Sequence, residues 1–310
     1  MTTALVTHGI YLEHDTGPGH PERADRLRAV LSATRDAQLE HLVHEQSPGA
    51  SVDQLVAVHS RDHVEHVLSI HVPEGEHVHL DPDTVMSSSS VEAALRAAGG
   101  AIHAVDLVMN GKADSAFVAA RPPGHHAEPA RAMGFCLFNN VAVAARHARD
   151  RWGLVRIAVA DFDVHHGNGT QAAFWDDPDL FFVSSHQSPC YPGTGLAGER
   201  GCAGNIVNAP LPPGTGSEGF RQAWERILLP ALDAFAPEML IISAGFDAHR
   251  SDPLAQLMLE TDDFAWITRR LLEIAHRHAR GRLVSCLEGG YELEALADSA
   301  VAHLCALAGT

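Results

Sequence analysis

Val155-Arg-Ile-Ala-Val-Ala160-Asp161-Phe-Asp163-Val-His165-His166-Gly-Asn168-Gly169 begins as an apolar run and ends in acids, imidazoles and glycines. The run Val155–Ala160 reads as a short buried strand, because it lacks the polar alternation of a half-solvated one. Asp163 and His165 lie two residues apart. If strand geometry persists to them, their side chains point the same way, so carboxylate and imidazole can grip one ion. Asp161 shares that parity and can support the pair from behind.

The same grammar recurs along the chain. Apolar runs at Leu5–Thr7, Ala116–Ala119, Leu180–Ser184, Met239–Ser243 and Leu283–Leu287 also read as strands. Helical periodicity fills Arg23–Asp36, Val91–Met109, Val141–Arg151, Gly219–Ala236, Asp262–His278 and Leu293–Leu307. The serines Ser87 to Ser90 read as the N-cap region of the second of these. Strands alternating with helices predict an α/β fold with a parallel sheet covered on both faces, in one domain spanning residues 1–310. Two Gly- and Pro-rich connections, Pro122–Asn139 and Gln187–Gly216, read as functional loops.

In an open parallel sheet, ligands bind beyond the carboxyl ends of the strands. Four runs are followed there by polar clusters: Arg121-Pro-Pro-Gly-His125-His126, Asp161 to Gly169, Ala244-Gly-Phe-Asp247, and Glu288-Gly-Gly-Tyr291. Any one could be turn chemistry; four on one rim imply a site. Asp163, His165 and Asp247 make a ligand set with an open position, the pattern of a catalytic zinc. The oxygen-rich set also suits ferrous iron, cobalt or manganese. Two carboxylate ligands neutralise a divalent cation and leave its water less acidic, so a base becomes useful. His125 and His126 are candidates, with Asp161 and Asn168 as plausible orienting partners. Tyr291 can donate to an oxygen on which charge develops.

Composition narrows the function. Of 310 residues, 45% are apolar and 20% charged, with a net charge of −17. That balance argues against nucleic acid as partner, since phosphate binding needs clustered Lys and Arg; it favours cationic molecules such as lysine-rich peptides or polyamines. Most of the 22 histidines, among them His41, His44, His276 and His278, read as solvated or capping residues. Cys136, Cys190, Cys202, Cys286 and Cys305 show no Cys-x-x-Cys pair and read as reduced thiols of a cytoplasmic protein. Neither a signal peptide nor a membrane-spanning run is visible, so no membrane partner is expected.

Taken together, Arg-Pro-Pro-Gly-His-His-Ala, Asp-Phe-Asp-Val-His-His-Gly-Asn-Gly-Thr, Ala-Gly-Phe-Asp and Leu-Glu-Gly-Gly-Tyr resemble the zinc-dependent histone deacetylases. The likeness is strongest to class II and to bacterial histone deacetylase-like amidohydrolases. Gly-His20-Pro-Glu-Arg23-Ala-Asp-Arg-Leu and Gly134-Phe-Cys-Leu-Phe-Asn-Asn-Val-Ala extend it to most of the chain.

The resemblance implies the arginase–deacetylase fold, an eight-stranded parallel sheet between helices. It implies one zinc per chain on Asp163, His165 and Asp247, His126 as base, His125 as its electrostatic partner, and Tyr291 as oxyanion donor. Asn168 stands where class I members carry Asp. Gly134, Phe135 and Tyr191 match the walls of a tunnel for the acyl-lysine stem, with Leu254 beside them, and Arg23 matches an arginine at its floor. A structural potassium ion is implied at Asp161, Asp163 and His165 with Ser184 and Ser185. The expected substrate is an acetylated lysine of a protein or peptide, or else a small acetylated amine such as an acetylpolyamine. Leu254 after Asp252-Pro253 lacks the acidic gatekeeper of polyamine-selective relatives. A two-manganese, arginase-like site would want a second acid where Ala248-His249 follows Asp247. A non-catalytic acyl-lysine binder should have lost a ligand, base or tyrosine, and none is missing. Oligomerisation stays open.

Overall fold

The computed structural model describes residues 2–37, 39 and 42–309; His41 lies outside them. Eight parallel strands form one sheet: β1 (Thr3–Thr7), β2 (Leu42–Gln46), β5 (Ser115–Val118), β6 (Ile157–Asp161), β7 (Leu180–Gln187), β8 (Ile206–Leu211), β9 (Met239–Ala244) and β10 (Leu283–Leu287). β3 (Val78–His79) and β4 (Val85–Met86) make a small antiparallel pair outside it. The sheet order is β2-β1-β5-β10-β9-β6-β7-β8. The strands that carry the four polar clusters, β5, β10, β9 and β6, are therefore consecutive at its centre. Asp161 pairs with Ser243, Cys286 with Ser243 and Cys286 with Val118, so these strands end level with one another.

Six strands match the apolar runs, and the central ones are buried along their whole length, as parallel strands covered on both faces must be. The two edges were not anticipated. β2 is largely polar and half exposed, and β8 carries Asn208 and Pro210 inside the stretch read as one loop, Gln187–Gly216. A sheet edge tolerates a proline because one side of its ladder is unpaired.

Helices α1 (Ala24–Asp36), α2 (Val52–Val56), α3 (Arg61–Ser69), α4 (Ser90–Met109), α5 (Asn140–Trp152), α6 (Asn168–Phe174), α7 (Ser217–Ala223), α8 (Leu229–Phe235), α9 (Thr261–His278) and α10 (Leu293–Ala308) complete the chain. The helix expected over Gly219–Ala236 is interrupted by a π turn at Trp224–Leu228 just before Pro230, whose missing N–H cannot continue the ladder. The serine run does precede α4. Ser89 makes no side-chain cap bond, however; Ser90 Oγ instead accepts from the Ser87 amide at 2.7 Å. α4 packs with α5, and α10 with α1 and α9, as two groups that flank the sheet.

Several core positions hold neutral imidazoles. His303 on α10 lies 2.6 Å from Thr268 Oγ1 and 2.8 Å from Ser285 Oγ, joining α10 to α9 and β10, and burial pushes its pKa down to about 3. Burial likewise lowers His59 and His186, each to about 4. Folded values below the ordinary 6.5 or so contribute stability that is complete above that pH and lost as pH falls toward the folded values. Each histidine should thus make the melting temperature fall between about pH 7 and about pH 5, so His303→Gln should flatten the profile relative to the wild type. The same slope in both would contradict a neutral imidazole at His303.

Candidate functional site

The level ends of the four central strands bring their polar clusters into one patch. Asp163, His165 and Asp247 each offer a ligand atom, and these atoms lie within 4.8 Å of one another. Among the described residues this is the one such group of three or more acids, histidines or cysteines. His165 Nδ1 lies 3.2 Å from Asp163 Oδ1 and 3.1 Å from Asp247 Oδ2. Ligands at 2.0–2.1 Å from a tetrahedral ion sit about 3.3 Å apart, so the spacing fits a small divalent cation. Backbone donors hold the acids: Asp163 accepts from the His165 and Gly289 amides, and Asp247 from the Val164 amide. A Cβ on Gly289 would collide with both carboxylates, which explains a glycine there.

Burial raises the Asp247 carboxyl to about 7, with Asp163 adding repulsion. Burial opposes ionisation of Asp163 too, but His125 and His165 beside it hold its pKa below the usual carboxylate range. His165 is raised well above its ordinary value, since the two acids outweigh its burial. Metal binding would replace that shared proton, because a ligand imidazole is neutral.

Two histidine pairs flank this group. His125 Nδ1 is 3.0 Å from Asp161 Oδ2, and its Nε2 is 3.9 Å from Asp163 Oδ2. Burial alone would lower His125, yet Asp163, Asp161 and Glu288 raise it to about 10. His126 Nδ1 lies 2.8 Å from Asn168 Oδ1. Burial, reinforced by His125 and His165, pushes His126 well below the ordinary value. With centroids 4.0 Å apart and planes tilted by 42°, the two rings are thus set to opposite protonation states.

A cavity of about 200 Å³ opens on this group, lined by Asp83, His126, Gly134, Phe135, His165, Tyr191, Leu254 and Tyr291. Gly134 has φ +56°, and a Cβ there would approach His126 Cδ2 to 2.5 Å, so no other residue fits that wall without movement. Tyr191 meets His126 edge to face at 5.1 Å, and Phe135 meets Tyr291 at 5.9 Å. Burial raises the Tyr291 phenol well above its ordinary value, so it stays a proton donor at neutral pH.

Two of the expected site residues, Arg23 and Ser185, lie away from the positions expected of them. Arg23 is half exposed and pairs with Asp25, whereas Arg26 is the buried arginine beneath the site. Its guanidinium sits 4.7 Å from the Tyr291 ring centroid and donates to the Gly290 and Glu288 carbonyls, both at 2.5 Å, and to Glu22. Arg26 shares the inward face of α1 with Leu27, Val30 and Thr34, a spacing visible in the sequence; Arg23 precedes the helix in extended backbone. Ser184 pairs in register with Asp161, its hydroxyl 2.9 Å from His186 Nδ1. Ser185, on the opposite side of the strand, accepts from the Trp224 indole instead.

Three further residues have no role assigned by the sequence reading. Buried Glu288 accepts from the Gly124 and His125 amides, fixing the backbone of the histidine pair. Asp252 accepts from the Tyr291, Glu292 and Leu254 amides and so holds two cavity walls together. Asp83 lines the cavity itself.

Comparison with known proteins agrees with this fold. Residues 20–307 match the family model described as a histone deacetylase domain. A histone deacetylase-like amidohydrolase of Pseudomonas aeruginosa is 40% identical over 290 residues, which are 91% of this chain and 75% of its own. A probable deacetylase of Archaeoglobus fulgidus is 40% identical over 316 residues, covering 100% of this chain and 87% of its own. The crystal structure of the HDA15 HD domain superposes with a TM-score of 0.91 at 34% identity, over 99% of this chain and 88% of that one.

The two arginines can be told apart by stability. Arg26→Ala removes a partner of the buried Glu22 and should cost about 3 kcal/mol in chemical denaturation. Arg23→Ala should stay within about 0.5 kcal/mol. Equal losses would overturn the placement.

Proposed function

The chain belongs to the histone deacetylase family, and from that premise we propose that it is a zinc-dependent hydrolase of acyl amides, acting chiefly on acetylated lysine side chains. The observation that carries this reading is one narrow cavity on which a two-acid, one-imidazole ligand set, an oriented base and a phenol all converge. Asp163, His165 and Asp247 would hold the zinc. When bound, the ion supplies Lewis-acid chemistry, polarising an amide carbonyl and making water a stronger acid.

The side chains divide the remaining work. Phe135, Tyr191 and Leu254 give the cavity apolar walls suited to an alkyl stem. Tyr291 donates a hydrogen bond to the carbonyl oxygen as charge builds there. His126, with Nδ1 turned to Asn168, offers Nε2 to take a proton from the attacking water. It then returns that proton to the departing nitrogen, so amide and water become amine and carboxylic acid. His125 stays charged between its carboxylates and steadies the negative intermediate. For a structural potassium ion the reading keeps Asp161, Asp163, His165 and the Ser184 hydroxyl, and drops Ser185 because Trp224 engages it.

Leu254 in place of an acid after Asp252-Pro253 supports acetyl-lysine over acetylpolyamines; the one acid on the cavity lining is Asp83. Among the described residues no further acid or histidine joins the ligand group, which counts against a two-manganese site. A fluorogenic acetyl-lysine peptide should be turned over faster than N-acetylputrescine; the reverse preference would transfer the assignment to polyamines. Tyr291→Phe should lower turnover by about 10²–10³ with zinc content unchanged. Full activity in that variant would remove Tyr291 from the mechanism.

A further inference from the structure

The amide of Asn168 has two chemically different ends, and the structure decides which faces the base. One end is 2.8 Å from His126 Nδ1, and the other is 2.7 Å from Glu128 Oε1. A carboxylate only accepts hydrogen bonds, so the atom facing Glu128 is the amide nitrogen and the atom facing His126 is the oxygen. An oxygen there requires the His126 proton on Nδ1 and leaves the Nε2 lone pair free.

We propose that Glu128 is a positioning residue that sets the flip of Asn168 and, through it, the tautomer of His126. The inference rests on His126 being the base of the reaction proposed above. Glu128 does not line the cavity. Its backbone is pinned by paired hydrogen bonds with Arg131, and its own carbonyl lies 3.1 Å from His59 Nδ1. Arg131 Nε stands 4.0 Å from the other carboxylate oxygen, Oε2, which leaves Oε1 to Asn168. The amide nitrogen has two other neighbours, the His126 carbonyl at 3.4 Å and Met133 Sδ at 3.3 Å. Both are weaker acceptors than a carboxylate at 2.7 Å. Without Glu128 the amide can turn over and present its NH₂ to Nδ1. The proton then moves to Nε2, where it blocks the base.

The test compares Glu128→Gln and Glu128→Met, each made in the wild type and in Asn168→Asp, with zinc content and melting temperature as controls. Glu128→Met should lower kcat on the order of tenfold, with KM within about twofold. Glu128→Gln should keep most of the activity, because its amide oxygen accepts the same hydrogen bond. In Asn168→Asp the two carboxylate oxygens are equivalent, so Glu128→Met should cost nothing further. Equal losses from Gln and Met, or the same loss in both backgrounds, would overturn the inference while leaving wild-type turnover and the functional reading intact. Histidine ¹⁵N shifts, assigned with a His126→Gln control, read the tautomer without turnover. Nδ1–H in the wild type and a shift toward Nε2–H in Glu128→Met are expected, and an unchanged tautomer refutes the proposal even if acetyl-lysine proves not to be the substrate.

Discussion

Two carboxylates, Asp163 and Asp247, stand almost fully buried at the carboxyl edge of the sheet, each 1% exposed. Like charges removed from water at such range repel strongly, and each loses its hydration. Backbone amides and the His165 imidazole offset part of that cost, and a divalent cation would offset more by neutralising both acids. Much of the surrounding construction follows from the need to hold those groups in a dry, fixed arrangement. The central strands must end level, and Gly245 and Gly289 must lack side chains, because a Cβ on either would strike those carboxylates.

The same field organises the neighbouring histidines. His125, wedged among Asp161, Asp163 and Glu288, keeps a proton; His126, one residue on and next to a neutral amide, is kept from taking one. An acid and a base are thus made from adjacent residues of one type. Beneath Tyr291, Arg26 balances Glu22 and supports the phenol from below, while Asp252 fixes its backbone. The cavity walls and the chemistry share one rigid support.

The central architecture was legible because buried parallel strands are unbroken apolar runs and their polar successors must lie on one rim. The clustering of one imidazole with two acids is legible in the two-residue spacing of Asp163 and His165 and in Asp247 at another strand end. What was hidden had no such signature. β2 and β8 are edges, where polarity and proline are tolerated and the apolar signal fades. Motif position points to Arg23, whereas the four-residue spacing of Arg26, Val30 and Thr34 marks the inward face of α1. Glu288, Asp252 and Glu128 act by accepting hydrogen bonds from backbone or amide groups distant in sequence, and no local pattern announces that.

The central claim is that one cation sits among Asp163, His165 and Asp247. Anomalous diffraction at the zinc edge, from crystals grown with excess zinc, tests it directly. The account predicts a single strong peak per chain within bonding distance of those three side chains. Two peaks bridged by carboxylates, or none with the three groups turned apart, would contradict it.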